Sequence, residues 1–132
     1  MLEALVSRPS VSSGNPPLLV LLHGLGADEH DLMGLGRALD RRLLIVCLRA
    51  PLPYDFGGFA WFDVRWDSTG IHADLEQAMA SRDLLVEELS SLTDHLGLEP
   101  SRIFLGGFSQ GAMMSVGVAG VKPEMLEPHH HS

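Results

Sequence analysis

Three short apolar runs constrain this chain most: Leu18-Leu19-Val20-Leu21-Leu22, Leu43 to Leu48, and Ile103-Phe104-Leu105. Each stops at a break: His23-Gly24-Leu25-Gly26, the approach to Pro51, and Gly106-Gly107. Runs without polar alternation are what strands buried on both faces look like, and such strands belong to parallel sheets covered by helices. Helical spacing fills the intervals. Leu32, Leu35, Ala38 and Leu39 predict a helix over 28–40, weakened by Gly34 and Gly36. Leu75, Ala78, Met79, Leu85, Leu89, Leu92 and Leu96 predict the clearest helix, over 73–96, ended by Gly97 and Pro100. Ala112 to Ala119 reads as a third helix, closed by Gly120 and Pro123. Residues 2–8 fit a short leading strand and 9–17 a Ser/Pro/Gly connector. Strand, helix, strand, long loop, helix, strand, helix is an α/β order and predicts a parallel sheet between helices.

Length and charge narrow the class. A chain of 132 residues is expected to form one domain: leading strand and connector over 1–17, a core over 18–120, and an irregular tail over 121–132. The formal net charge of -8 argues against nucleic acid as a partner. No stretch approaches the roughly 20 apolar residues of a membrane span, and the first residues form no signal peptide, so a cytoplasmic location is expected. Cys47 is the one cysteine; it fits a reducing compartment and reads as a small buried apolar residue.

Gly107-Phe108-Ser109-Gln110-Gly111 fits Gly-x-Ser-x-Gly. Alone it is weak, since about 0.13 chance matches are expected at this composition. Its setting is stronger. A strand before and a helix after are what a nucleophile elbow requires, and its glycines let strand and helix pack closely at the turn. The competing reading is a glycine turn without chemistry. His23-Gly24-Leu25-Gly26 ends a neighbouring strand, where a glycine loop can aim a backbone N–H beside Ser109, so the N–H groups of Leu25 and Gln110 form a candidate oxyanion hole. A dinucleotide or phosphate loop is disfavoured, because neither Gly-x-Gly-x-x-Gly nor Gly-Lys-Ser/Thr is present. Six of the eight aromatic residues (Tyr54, Phe56, Phe59, Trp61, Phe62, Trp66) crowd residues 51–71, a segment without obvious regular structure. Such a loop either walls an apolar pocket or covers the core.

Together LLHGLGADEHDL, RAPLPYDFGGFAWFDV and RIFLGGFSQGAMMS closely resemble the phospholipase/carboxylesterase family of α/β-hydrolases, which includes acyl-protein thioesterases and small bacterial carboxylesterases. The likeness covers about residues 18 to 120. It implies a three-layer α/β-hydrolase sandwich, here its amino-terminal part only, and cleavage of small carboxylic esters or thioesters with no metal or cofactor. By matching positions it makes Ser109 the nucleophile, gives the oxyanion donors to Leu25 and Gln110, and puts Trp61 and Phe62 in the substrate-bordering loop. His23, Gly24, Gly107 and Gly111 become the structural residues of the site loops.

The departure is equally informative. In this fold the acid and the histidine follow the serine in chain order. After Ser109 this sequence has no Asp, two glutamates (Glu124, Glu127) and His129-His130-His131. Feeble or absent turnover is therefore expected, since a serine hydroxyl needs a base. Neither the tail histidines nor His23 suits that task; His23 is expected to pack beneath the oxyanion loop, while His30 and His72 are the other histidines and His95 suits a helix end. Asp28, Asp31 and Asp63 lie near the site loops, and Asp28 reads more simply as a helix N-cap. The alternative function is a non-catalytic half-hydrolase that binds acyl ligands or partner chains. An unpaired strand edge would favour self-association into a homo-oligomer.

Overall fold

The computed structural model describes residues 2–10, 15–97 and 102–121. A four-stranded sheet forms from β1 (Ala4–Ser7), β2 (Leu18–Leu22), β3 (Leu44–Leu48) and β8 (Ile103–Gly107), in the order β1-β3-β2-β8. β3, β2 and β8 are parallel, as the uninterrupted apolar runs require. The sheet is nonetheless mixed, because the leading strand β1 pairs antiparallel with β3. Period-two alternation divides the central strands between two cores. Leu18, Val20, Leu22, Leu44, Val46 and Leu48 face helices α2 (Leu75–Leu96) and α3 (Gln110–Val121). Leu21, Ile45 and Cys47 face α1 (Met33–Leu39). Helices on both faces of one sheet make three layers.

The helix bounds depart from expectation in instructive ways. α1 begins at Met33, five residues later than predicted, and Asp28 does not cap it. Asp28 Oδ1 instead accepts from the N–H of His30 at 2.9 Å, closing a local turn. α2 matches closely: Asp74 caps its start by accepting from the N–H of Gln77, and Gly97, at φ 67°, ends it in the left-handed conformation. α3 starts two residues earlier than expected and runs through Gly120, so that glycine does not close it. Pro100, Pro123 and the tail histidines lie outside the described residues.

The aromatic segment is not the irregular loop anticipated. It folds into two small antiparallel ladders, β4 (Leu52–Pro53) with β5 (Phe59–Ala60), and β6 (Val64–Asp67) with β7 (Gly70–Ala73). β4 and β5 have two residues each, and the four-residue β6 and β7 are mostly exposed, so none carries an alternation of buried and exposed positions. No helix among the described residues is long and apolar enough to cross a membrane.

Leu89 is 1% exposed in the larger core, whereas Leu84 is 39% exposed on the same helix. Leu89→Ala is expected to cost about 2–5 kcal/mol and Leu84→Ala less than about 1 kcal/mol. Urea unfolding followed by circular dichroism measures both.

Candidate active site

Strand order locates the site before any side chain is considered. From β2 the chain crosses over α1 to β3 on one side, while β8 lies on the other side of β2. Loops leaving the carboxyl ends of β2 and β8 therefore part company there, opening a crevice of the kind in which α/β proteins bind ligands. The two loops are residues 23–26 and 108–109.

The turn after β8 is sharp. Ser109 has φ 59°, the one positive φ on a non-glycine residue among those described, a conformation that costs roughly 1–2 kcal/mol for an L-residue. Contacts on both sides hold it there. The N–H of Phe108 donates to the carbonyl of Leu22 at 3.2 Å, and the N–H of Gly111 to the carbonyl of Phe108 at 3.0 Å. A Cβ on Gly111 would come within 1.9 Å of the Leu22 carbonyl oxygen, and one on Gly107 within 2.4 Å of the Gly111 carbonyl carbon. Both positions need glycine because backbone lies against backbone. The loop after β2 closes on the same point: a Cβ on Gly24 would be 3.3 Å from Ser109 Cβ.

Ser109 is exposed, and its hydroxyl bonds to no side chain among the described residues. Nor do the backbone N–H groups of Leu25 and Gln110 have an acceptor among them. α3 begins at Gln110, so the positive end of its peptide dipoles faces the same space. Leu25, Ser109 and Gln110 all border one cavity of about 720 Å³, walled mainly by apolar side chains that include Phe62, Trp66, Met79 and Met113.

Trp61 is not on that wall. It is wholly buried, its indole N–H donates to the carbonyl of His23 at 2.9 Å, and its backbone N–H donates to Gln110 Oε1 at 3.0 Å. Its carbonyl accepts from the hydroxyl of Ser81 at 2.6 Å. Trp61 thus ties three parts of the fold together, as the partner of three buried polar groups. Phe62, the next residue, does line the cavity, and its carbonyl accepts from Gln110 Nε2 at 2.7 Å. Gln110 therefore has two aspects: its backbone faces the crevice, and its buried side chain bolts the elbow to the aromatic segment.

His23 is 2% exposed and packs beneath the glycine loop. The N–H of Ala50 donates to its Nε2 at 3.0 Å, so Nδ1 carries the hydrogen and donates to the carbonyl of Gly24 at 2.7 Å. Both ring nitrogens are committed, which leaves His23 no lone pair for a hydroxyl proton. His72 is engaged with Asp67 and Thr69. Asp63 and Gln77 bond one another through backbone and side chain. Burial pushes the Cys47 thiol up to about 11, consistent with an inert core residue.

One polar pair was not visible in the sequence. Glu29, 6% exposed, accepts a forked pair of hydrogen bonds from Arg49 at 2.7 and 2.9 Å, and Arg49 lies 4.4 Å over the ring of Phe59. Phe59 in turn brackets the glycine loop, its carbonyl accepting from Gly26 N–H and its N–H donating to Ala27. The Arg49 guanidinium holds the Glu29 carboxyl below its ordinary value. Asp28, Glu29 and His30 could offer three metal-ligand atoms within 4.8 Å, but both oxygens of Glu29 already bind Arg49. A partner 20 residues away leaves no periodic trace.

Doubly wound sheet, strained serine turn and adjoining glycine loop together define the α/β-hydrolase fold. This chain belongs to the phospholipase/carboxylesterase family, whose model matches residues 8–127. It is 32% identical over 119 residues to an uncharacterized hydrolase of Mycosarcoma maydis, covering 84% of this chain and 44% of that protein. It superimposes on the crystal structure of esterase PE8 with a TM-score of 0.76 at 32% identity, covering 89% of this chain and 57% of the esterase. For acyl-protein thioesterase 2 of Zea mays the TM-score is 0.64 at 32% identity, with 90% and 51% covered. The chain thus spans about half the length of the relatives it matches.

Gly111→Ala is expected to cost about 3 kcal/mol or more, since backbone rather than a flexible side chain must move. Gly120→Ala, with open space around it in the same helix, should be neutral or slightly stabilising. Glu29→Gln should cost about 1–3 kcal/mol at neutral pH, discounted for the solvent access of Arg49. Because folding lowers the pKa of Glu29, its contribution is present above its ordinary value of 4.5 and lost as pH falls through the lowered one. Urea midpoints of wild type and variant should therefore converge in acid.

Proposed function

We propose that Ser109 is the nucleophile of a carboxylic ester or thioester hydrolase, and that the described residues supply three parts of its site: nucleophile, oxyanion donors and acyl groove. The observation that carries this reading is the strained turn at Ser109, held beside two unpartnered N–H groups at the mouth of an apolar cavity. In such a site the Ser109 oxygen attacks the substrate carbonyl carbon. Negative charge moves to the carbonyl oxygen, where the N–H groups of Leu25 and Gln110 and the start of α3 stabilise it. The tetrahedral species then expels the alkoxide or thiolate, leaving the acyl group on Ser109.

The attacking hydroxyl must lose its proton. No imidazole or carboxylate bonds to it among the described residues, and Gln110–Val121 contain no Asp, Glu or His. That observation favours a second reading, an acyl-binding module without turnover. Cytoplasmic location and self-association through the free edge of β8 remain proposals on the same footing.

Oxyanion stabilisation and binding without a base sustain about 10³- to 10⁴-fold catalysis over water. Hydrolysis of p-nitrophenyl esters by the 132-residue chain should accordingly be feeble and little altered by Ser109→Ala. Supplying free imidazole as external base with an alkyl fluorophosphonate should place an adduct on Ser109, seen by peptide mass mapping and absent in Ser109→Ala. No adduct, while alkyl esters still bind, would transfer support to the binding module.

A further inference from the structure

The cavity beside Ser109 is a groove between two helical stripes. On α2, Leu75, Ala78, Met79 and Arg82 line it at i, i+3, i+4 and i+7. On α3 the lining residues Gln110, Met113, Met114 and Gly117 have the same spacing. The stripes meet at the far end, where the stem of Arg82 packs against Gly117, its Cδ 3.8 Å from where a Cβ would stand.

Among the described residues, Arg82 is the only ionisable one lining this cavity. It occupies a seam position: further along α2 the same stripe continues into the core through Leu85, Leu89 and Leu92. Its side chain is 31% exposed, and its one polar partner among the described residues is the adjacent Asp83, which it meets through a single oxygen at 3.2–3.3 Å. Asp83 itself is 67% exposed, so the pair is weak and solvated. The guanidinium keeps donor capacity for a second acceptor, and a forked carboxylate or phosphate matches it in shape.

From Gln110 to Gly117 the helix rises about 10 Å. An extended carbon chain advances roughly 1.3 Å per bond, so an acyl chain of about eight or nine carbons matches that rise and brings its end level with Gly117, against which the Arg82 stem packs. We infer that the groove selects medium-length acyl esters bearing a terminal anion, held at the ester end by the Ser109 crevice and at the other by Arg82. This rests on the reading of Ser109 as the point of ester attack. It adds a second recognition point and a length.

Calorimetric titration with monomethyl azelate, which carries one free carboxylate, and with its neutral counterpart dimethyl azelate tests the inference. Arg82→Gln should weaken the monoester at least about tenfold and leave the diester within about twofold. Arg82→Lys should retain part of the preference, and Asp83→Asn should preserve or strengthen it. Monomethyl glutarate is too short to span the groove and should show no dependence on Arg82. An unchanged monoester affinity in a folded Arg82→Gln protein overturns the inference, as does an equal effect on glutarate, which would reveal mere surface attraction. Should neither azelate bind, the groove fails as an acyl site altogether. Because equilibrium binding needs no activated hydroxyl, these affinities are read independently of the fluorophosphonate result.

Discussion

At the carboxyl edge of the sheet, the turn after β8 crosses the end of β2 with backbone against backbone. Gly111 lies where any Cβ would strike the carbonyl of Leu22, and Gly107 where one would strike Gly111. That approach forces Ser109 into a left-handed conformation and starts α3 immediately after it. The hydroxyl is consequently lifted out of the sheet, and the first N–H of the helix is left without an intrahelical acceptor. The local strain is small beside the packing of the two parallel strands and their covering helices, which over-determine the turn.

Rigidity in the rest of the site comes from buried polar side chains that all find partners. Gln110 reaches the backbone of Trp61 and Phe62, Trp61 reaches His23, and His23 reaches Ala50 and Gly24. No buried side-chain nitrogen or oxygen among the described residues lacks a partner. A satisfied network of this kind specifies one arrangement, since breaking any link strands a desolvated group. The Glu29–Arg49 fork does the same for the outer part of the glycine loop, with Arg49 lying over Phe59, whose backbone bonds to Gly26 and Ala27. The loop that presents the Leu25 N–H is thus braced from beneath by His23 and from the side by Phe59.

Beyond this braced edge the character changes. The first two turns of α2 and α3 do not pack fully on one another, and they leave an apolar groove that begins at Ser109. Leu75, Met79 and Met113 are each about half exposed or more there. Polar rigidity at the Ser109 end and apolar, adaptable methionines along the groove suit a ligand with one fixed functional group and a flexible chain.

Much of the fold was legible because its signals are local and periodic. Uninterrupted apolar runs marked the three parallel strands, and the helix over 73–96 carried its own stripe and its Gly97 stop. The serine turn was legible because glycines at 107 and 111 record a steric demand directly in residue type. What tertiary structure alone decided were matters of partnership. Trp61 is as aromatic as Phe62 and one residue away, yet one became a keystone and the other a wall, because in the bend between β5 and β6 the indole N–H reaches the His23 carbonyl while Phe62 borders the groove. Asp28 has the residue type of a helix cap, but the chain turned before the helix began. Glu29 and Arg49 are ordinary charges in a list of residues; their union, like the placement of Arg82 in an apolar seam, exists only after distant elements have packed. Residue type and spacing determine local geometry, whereas which polar groups share a desolvated space is settled by the fold.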